Sequence, residues 1–191
     1  MSDQARTRHR ADNMITALIG VPATMITAGV CLVIMGLSTY PPLEGTRVLN
    51  MALIYGGILA MVYIALGLYM LRQRGARAGI MAIFFAVSLC GVPALALGSI
   101  LAANGALDAS PPNILGAMVM DKETVAHPSE RFFRGSHALH VRSWRATGQQ
   151  EKLYVEKEFH DQATPFKDTI VVKTKSGLFG FEWIVSLEMA P

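Results

Sequence analysis

Three long apolar segments constrain this chain more than any other feature of its sequence. They cover residues 14–39, 48–71 and 78–103, and none of them contains Asp, Glu, Lys, Arg or His. Each exceeds the ~20 residues with which an α-helix crosses the ~30 Å hydrocarbon core of a bilayer. We therefore predict three transmembrane helices, in line with a composition that is 52% hydrophobic and 16% charged.

The arginines beside these segments predict the direction in which the spans run. Residues 1–13 carry three arginines, and the connection after the second span carries Arg72, Arg74 and Arg77. Arginines next to span ends are retained in the cytoplasm, and two spans separate the two groups, so both groups fit on the inside. The third span then delivers the C-terminal part of the chain to the outer face. We expect a bacterial inner-membrane protein with this part in the periplasm.

The first span is expected to be retained as a signal anchor. It is longer than the ~7–15-residue apolar core of a signal peptide, and no small-residue cleavage site follows it.

Cys31 and Cys90 both lie within spans, where we interpret them as packing residues and expect no disulfide between them. The excess of positive over negative charge comes from arginines beside the spans, so it indicates membrane topology. We therefore expect no nucleic-acid partner.

Small residues recur at every fourth position of the third span. This spacing places them on one face of a helix, where small side chains let a second helix approach closely. One interpretation is a tight bundle of the three spans, and the other is docking of this face onto another subunit. Shorter series occur at positions 20, 24 and 28 and at positions 52, 56 and 60. The long series is Ala78, Ala82, Ala86, Cys90, Ala94, Gly98 and Ala102.

The remainder of the chain has a soluble composition. Residues 104–113 form a linker rich in Gly, Pro and polar residues, and residues 114–191 contain five short alternating segments separated by turn residues. This pattern predicts a small all-β domain, an SH3-like or OB-like antiparallel barrel or sandwich. The predicted strands are 114–120, 137–144, 151–159, 168–174 and 178–188.

The last of these strands has the clearest alternation. Its apolar residues share one face, and Gly180 within it predicts a bulge or a close backbone approach. Gly177 before it predicts a turn with positive φ. The apolar residues are Phe179, Phe181, Trp183, Val185 and Leu187.

A glycine-spaced ending distinguishes this tail. A tryptophan and a strand are followed by a connector, a valine-rich strand, and Gly177, Gly180 and Trp183 in a G-x-x-G-x-x-W arrangement. This ending resembles the tail of several uncharacterised bacterial polytopic membrane proteins. The resemblance covers the end of the chain only and implies no activity. The chain departs from the pattern at Lys167 and Asp168, where Gly-Asp is expected.

Histidines in the tail raise the questions of a metal site and of catalysis. His137 and His140, with His160 and Asp161, are the residues a metal would use. On a strand, however, positions three apart point to opposite faces, so we interpret the two histidines as surface or edge residues and predict no metal or cofactor. Ser136 beside His137 lacks a nucleophile-elbow motif, so we predict no catalytic residues and no enzyme.

The sequence RFFR, Arg131 to Arg134, is the most conspicuous candidate binding cluster. Aromatic and arginine residues form binding hot spots, so Arg131, Phe132, Phe133 and Arg134 are predicted to contact either a protein partner or lipid headgroups. Packing of Phe132 or Phe133 against the β domain is the third interpretation.

These features favour a binding protein held in the lipid bilayer. We expect the β domain to bind a protein partner, as an accessory or assembly subunit of a membrane complex or as an immunity protein against a toxin acting at the periplasm or inner membrane. The alternative is a component of a transport or channel assembly. That alternative would ordinarily place ionisable residues in the spans, and they contain none.

Overall fold

The structure is a computed structural model that describes the backbone of residues 3–124 and 136–191 and the side chains of residues 16–124 and 136–191. The chain divides into two compact units. The helical unit is Met1–Asp108 with Gly177–Phe181, and the β unit is Ala109–Ser176 with Glu182–Pro191.

Three long helices form the helical unit. They are α1 (Asp3–Thr39), α2 (Gly45–Gln73) and α3 (Ala78–Ala106). All three are long and apolar enough to cross a membrane, which agrees with the prediction of a multi-pass membrane protein. Helix α3 continues to Ala106, so Asn104 belongs to the last helical turn and not to a linker.

Helix α3 is the central helix, because α1 and α2 each pack along it and hardly touch each other. The backbones of α1 and α3 come close where glycines face each other. A Cβ added at Gly98 would lie 2.5 Å from the Gly29 carbonyl oxygen, and one added at Gly29 would lie 2.5 Å from the Ala94 carbonyl carbon. Close packing of this kind drives helix association in lipid, where the hydrophobic effect contributes little.

Helix α2 packs against the other side of α3 through a similar set of small residues. A Cβ added at Gly56 would lie 3.0 Å from the Ala96 Cβ, and one added at Gly67 would overlap the Phe84 ring. The buried residues of α2 recur at intervals of three and four, as expected for one helix face. They are Val48, Ala52, Gly56, Ala60, Ile64, Gly67 and Leu71.

The β unit is a curled antiparallel sheet with the strand order β3-β2-β1-β4-β5. Strand β1 pairs with β4 along its first half and with β2 along its second half, and a register shift between Val119 and Asp121 separates the two halves. Such a bulge bends a strand and lets it take part in both halves of a curled sheet. The strands are β1 (Asn113–Thr124), β2 (His137–Arg142), β3 (Gln150–Val155), β4 (Thr169–Lys175) and β5 (Trp183–Met189).

The core of the β unit comes from alternating strand positions. In β4, Ile170, Val172 and Thr174 are fully buried while their neighbours are half-buried, as expected when one face of a strand points inward. The other large core residues are Val119, Leu139, Val141, Leu153 and Trp183.

Two local predictions differ from the structure. Strand β3 ends at Val155, and a short helix, α4 (Lys157–Gln162), replaces the rest of the predicted strand. The Lys122 ammonium donates to the carbonyl of Ala163, the residue directly after this helix, at 2.9 Å. A cation therefore stabilises the C-terminal end of the helix dipole. Strand β5 begins at Trp183, and the five residues before Glu182 form a loop.

Candidate functional site

The predicted RFFR cluster, Arg131 to Arg134, lies outside the described residues.

The predicted small-residue series on α3 lies within the described residues and divides into a covered part and an exposed part. Ala94 is half-buried, and Gly98 and Ala102 are buried, whereas Ala78, Ala82, Ala86 and Cys90 are exposed. The buried positions of α3 include Phe84, Ser88, Gly91, Gly98 and Gly105, which are separated by four, three, seven and seven residues. A strict spacing of four drifts around a helix with 3.6 residues per turn, so only the last three of the seven positions in the series meet α1.

A groove runs along α3 between α1 and α2, because the two outer helices do not close on each other. Its volume is about 570 Å³. Almost the entire lining is apolar, with the hydroxyl groups of two tyrosines and one serine as the exceptions. The lining residues are Met25 from α1, Met51, Tyr55, Leu59 and Tyr63 from α2, and Val92, Leu95, Ala96, Ser99 and Ile100 from α3.

The loop between β4 and β5 belongs to the helical unit, and we call Gly177–Phe181 the GLFGF loop. Asn104 of α3 holds its backbone through three hydrogen bonds. The Phe179 N–H donates to Asn104 Oδ1 at 3.0 Å, the Asn104 Nδ2 donates to the Phe181 carbonyl at 2.8 Å, and the Leu178 N–H donates to the Asn104 carbonyl at 3.0 Å. Asn104 is only 4% exposed, so these bonds satisfy a buried amide at the end of a span.

Two glycines give the GLFGF loop its shape. Gly177 has φ +76° and donates its N–H to Asp108 Oδ2 at 2.9 Å, and Gly180 has φ +75°. Both conformations are in the left-handed region that glycine adopts without steric cost. The two positions differ in their surroundings, because a Cβ added at Gly177 would overlap the Asn104 amide, whereas one added at Gly180 would meet nothing within 4 Å.

Phe181 ends the GLFGF loop with its side chain buried in the helical unit. It forms a hydrophobic cluster with Val48 of α2 and Leu101 of α3, and Val33 of α1 packs against this cluster. The Arg47 guanidinium lies over the Phe181 ring, 5.8 Å from its centroid. The three helices therefore share one aromatic residue that is distant from them in the sequence.

A polar row crosses the outer face of strands β1, β2 and β3. The His140 Nε2 lies 2.7 Å from Glu123 Oε2, and the Lys152 ammonium lies 3.0 Å from Glu123 Oε1. The hydrogen bonds from His140 and Lys152 hold the pKa of the Glu123 carboxyl below its usual range, so this group is anionic at neutral pH. His140 thus has a carboxylate partner in the sheet.

His137 and His140 do not share a site, and His137 lies instead beside His160 of α4. The His137 and His160 ring centroids are 4.9 Å apart. The Nδ1 of His137 lies 3.1 Å from Ser136 Oγ, and the Nδ1 of His160 lies 3.3 Å from Asp161 Oδ1. Within the described ranges, no group of three or more potential metal ligands converges, here or elsewhere.

Two exposed apolar residues lie on the first half of β1. Ile114 and Met118 are on the same face of the strand, and Ile114 is 66% exposed. Phe166 is adjacent to this strand, because its N–H donates to the Val119 carbonyl at 2.8 Å. Its ring is 70% exposed, and its backbone has φ +60°. Phe166 is the one described residue other than glycine with a positive φ.

Comparison with known proteins identifies no relative. No family model, no curated protein and no solved structure matches the chain. The predicted resemblance of the Gly177–Trp183 ending to other bacterial membrane proteins therefore stays a prediction.

The features that best define a binding surface were missed by sequence reasoning. Phe166 was assigned to a connector, and only its position between Pro165 and Lys167 in a polar stretch marked it as an unusual residue for a loop. Asn104 was assigned to the linker, and no local sequence signal indicates that its amide binds the GLFGF loop. The groove depends on the arrangement of three helices and has no local sequence signal.

Proposed function

We propose that this chain is a non-enzymatic binding protein of a bacterial inner membrane, and that its C-terminal β domain contacts a protein partner. The observation that carries the proposal is Phe166. A residue with a side chain larger than hydrogen in the left-handed region costs about 1–3 kcal/mol, and such strain tends to occur at functional positions. Here the strained residue presents an exposed aromatic ring.

The surroundings of Phe166 support a protein as the ligand of this surface. Ile114 and Met118 are large, exposed and apolar, and they lie on the strand that Phe166 adjoins. Apolar residues grouped on the surface of a soluble domain mark interaction sites, and aromatic side chains commonly dominate the binding energy. The surface is that of an accessory or assembly subunit of a membrane complex, or of an immunity protein that blocks a toxin.

The connectivity of the β unit supports the OB-like alternative over the SH3-like one. Strands β1 to β3 form a meander, α4 follows β3, and β4 returns to pair with β1 on its other side. The bulge in β1 lets one strand serve both halves of the curled sheet, as in a partly open five-stranded barrel.

A cross-linking experiment in cells of the host tests the partner surface. The photoreactive residue p-benzoylphenylalanine replaces Phe166 in one variant and the exposed Gln149 in a matched control. We expect a single adduct from position 166 only, and mass spectrometry of that adduct distinguishes a membrane-complex subunit from a toxin. Equal adducts from both positions, or none from position 166, would contradict the proposal.

The variant Phe166→Asn tests the contribution of the aromatic ring to partner binding without destabilising the β unit. Asparagine accepts the left-handed region more readily than phenylalanine, so the β unit should be as stable as the wild type or more stable. Because aromatic hot spots carry about 2 kcal/mol or more, we expect recovery of the partner to fall roughly tenfold or more. Unchanged recovery would remove Phe166 from the binding surface.

The proposed topology places the N-terminus in the cytoplasm and the β domain in the periplasm. The connection between α2 and α3 supports this orientation, because it carries Arg72, Arg74 and Arg77 and arginines beside span ends are generally retained in the cytoplasm. Alkaline phosphatase, which is active only after export, should be active when fused after Pro191 and inactive when fused after Gly75. The opposite result would reverse the topology.

A further inference from the structure

We infer that the groove between α1 and α2 binds one anionic phospholipid, with an acyl chain along α3 and the phosphate on Arg47. This inference concerns the helical unit alone and goes beyond the proposed partner binding. The groove volume of about 570 Å³ falls in the range of small-molecule sites, ~300–1,000 Å³.

The length of the groove along the helices matches the thickness of one leaflet of a bilayer. Its lining on α2 runs from Met51 to Tyr63, a distance of about 18 Å at 1.5 Å per residue. The hydrocarbon core is ~30 Å thick, so this distance is slightly more than one leaflet. The groove lies mostly in the N-terminal half of α2 and in the C-terminal half of α3. The lipid therefore belongs to the leaflet at the C-terminal end of α3.

A cation stands at the head of the groove. Arg47 lies one turn before Met51, the first residue of α2 that lines the groove, so the two side chains are neighbours on the helix surface. The Arg47 side chain is 66% exposed and lies 3.4 Å from Glu44, a surface pair of the kind that contributes little. A guanidinium has five N–H donors in a fork that fits a phosphate. The face of the Arg47 guanidinium lies over the Phe181 ring and its Nη1 bonds Glu44, which leaves donors at its edge for a phosphate.

The test uses the full chain in vesicles of phosphatidylcholine with trace nitroxide-labelled lipid, observed by electron spin resonance. We expect labelled phosphatidylglycerol to associate about fivefold more strongly than labelled phosphatidylcholine, the effect of one cation near an anionic headgroup. Arg47→Gln should reduce this preference clearly more than Arg72→Gln at the other end of α2, where neighbouring arginines remain. Equal effects of the two variants, or no effect of Arg47→Gln, would overturn the role of Arg47.

Two leucines on α2 provide a matched pair for the acyl chain. Leu59 and Leu66 are each 58% exposed, and only Leu59 lines the groove. Leu59→Trp should reduce the immobilised lipid by one molecule per chain, and Leu66→Trp should not. Equal effects would show ordinary boundary lipid and overturn the inference. Native mass spectrometry of the wild type needs no variant: one retained phospholipid per chain supports the inference, and none at gentle activation contradicts it.

Discussion

Asn104→Ala is expected to lower the free energy of unfolding by about 1–3 kcal/mol, the cost of leaving a buried group without its partner. The buried group is the Phe181 carbonyl, and the partly buried Phe179 N–H also loses its bond to the Asn104 amide. Alanine removes both hydrogen bonds and leaves no polar atom to replace them. Unfolding by increasing sodium dodecyl sulfate in mild detergent, followed by the far-ultraviolet circular dichroism of the helices, measures the change.

The GLFGF loop itself supplies the control for this prediction. Gly177→Ala and Gly180→Ala both place a Cβ on a residue with φ near +75°, so they share the backbone cost of about 1–2 kcal/mol. Only Gly177→Ala also drives a Cβ into the Asn104 amide. We expect Gly177→Ala to be clearly the more destabilising of the two. Equal effects would mean that the loop is not held against Asn104.

Gly98→Leu is expected to break the packing of α1 on α3 and to lower the free energy of unfolding by about 3 kcal/mol, the upper part of the range for overpacking. Even a Cβ at this position would lie 2.5 Å from the Gly29 carbonyl oxygen, and backbone cannot move aside as a flexible side chain does. The same unfolding measurement applies. A leucine here that left stability unchanged would contradict the close approach of the two helices.

Ala86→Leu is the matched variant on the same helix. Ala86 is exposed, so the substitution should change stability by no more than about 0.5 kcal/mol. The variant also tests whether the exposed part of the small-residue series docks onto another subunit, because bulk at that surface would then reduce oligomer mass in analytical ultracentrifugation. Unchanged stability with unchanged mass would leave the series with a role inside the bundle only.

The spans and the β strands were predictable because their signals are local. An uncharged apolar run predicts a helix that crosses a membrane, and period-two alternation places Ile170 and Val172 on one buried face. The same alternation misassigned Phe179 and Phe181 to a strand. Both residues belong to a loop held at the end of α3, and alternation does not reveal whether an apolar residue packs in a sheet or against a helix.

The candidate sites were less predictable because they depend on contacts between distant positions. Phe166 owes its exposure and positive φ to the path of the chain between α4 and β4. The groove exists because α1 and α2 both pack against α3 and not against each other. The position of Arg47 beside the groove could not be recognised before this helix arrangement was known. Small residues at every fourth position indicated a helix contact correctly, but the actual interface follows the period of a helix with 3.6 residues per turn.

The central position of α3 has a consequence for biosynthesis. Synthesis delivers α1 and α2 to the bilayer first, and until α3 enters, Gly29 on one helix and Gly56 on the other have no helix to pack against. Phe181 arrives later still, because strands β1 to β4 are made between α3 and this residue. A truncated product that ends before Gly177 would therefore insert all three spans and still lack the residue that completes their hydrophobic cluster.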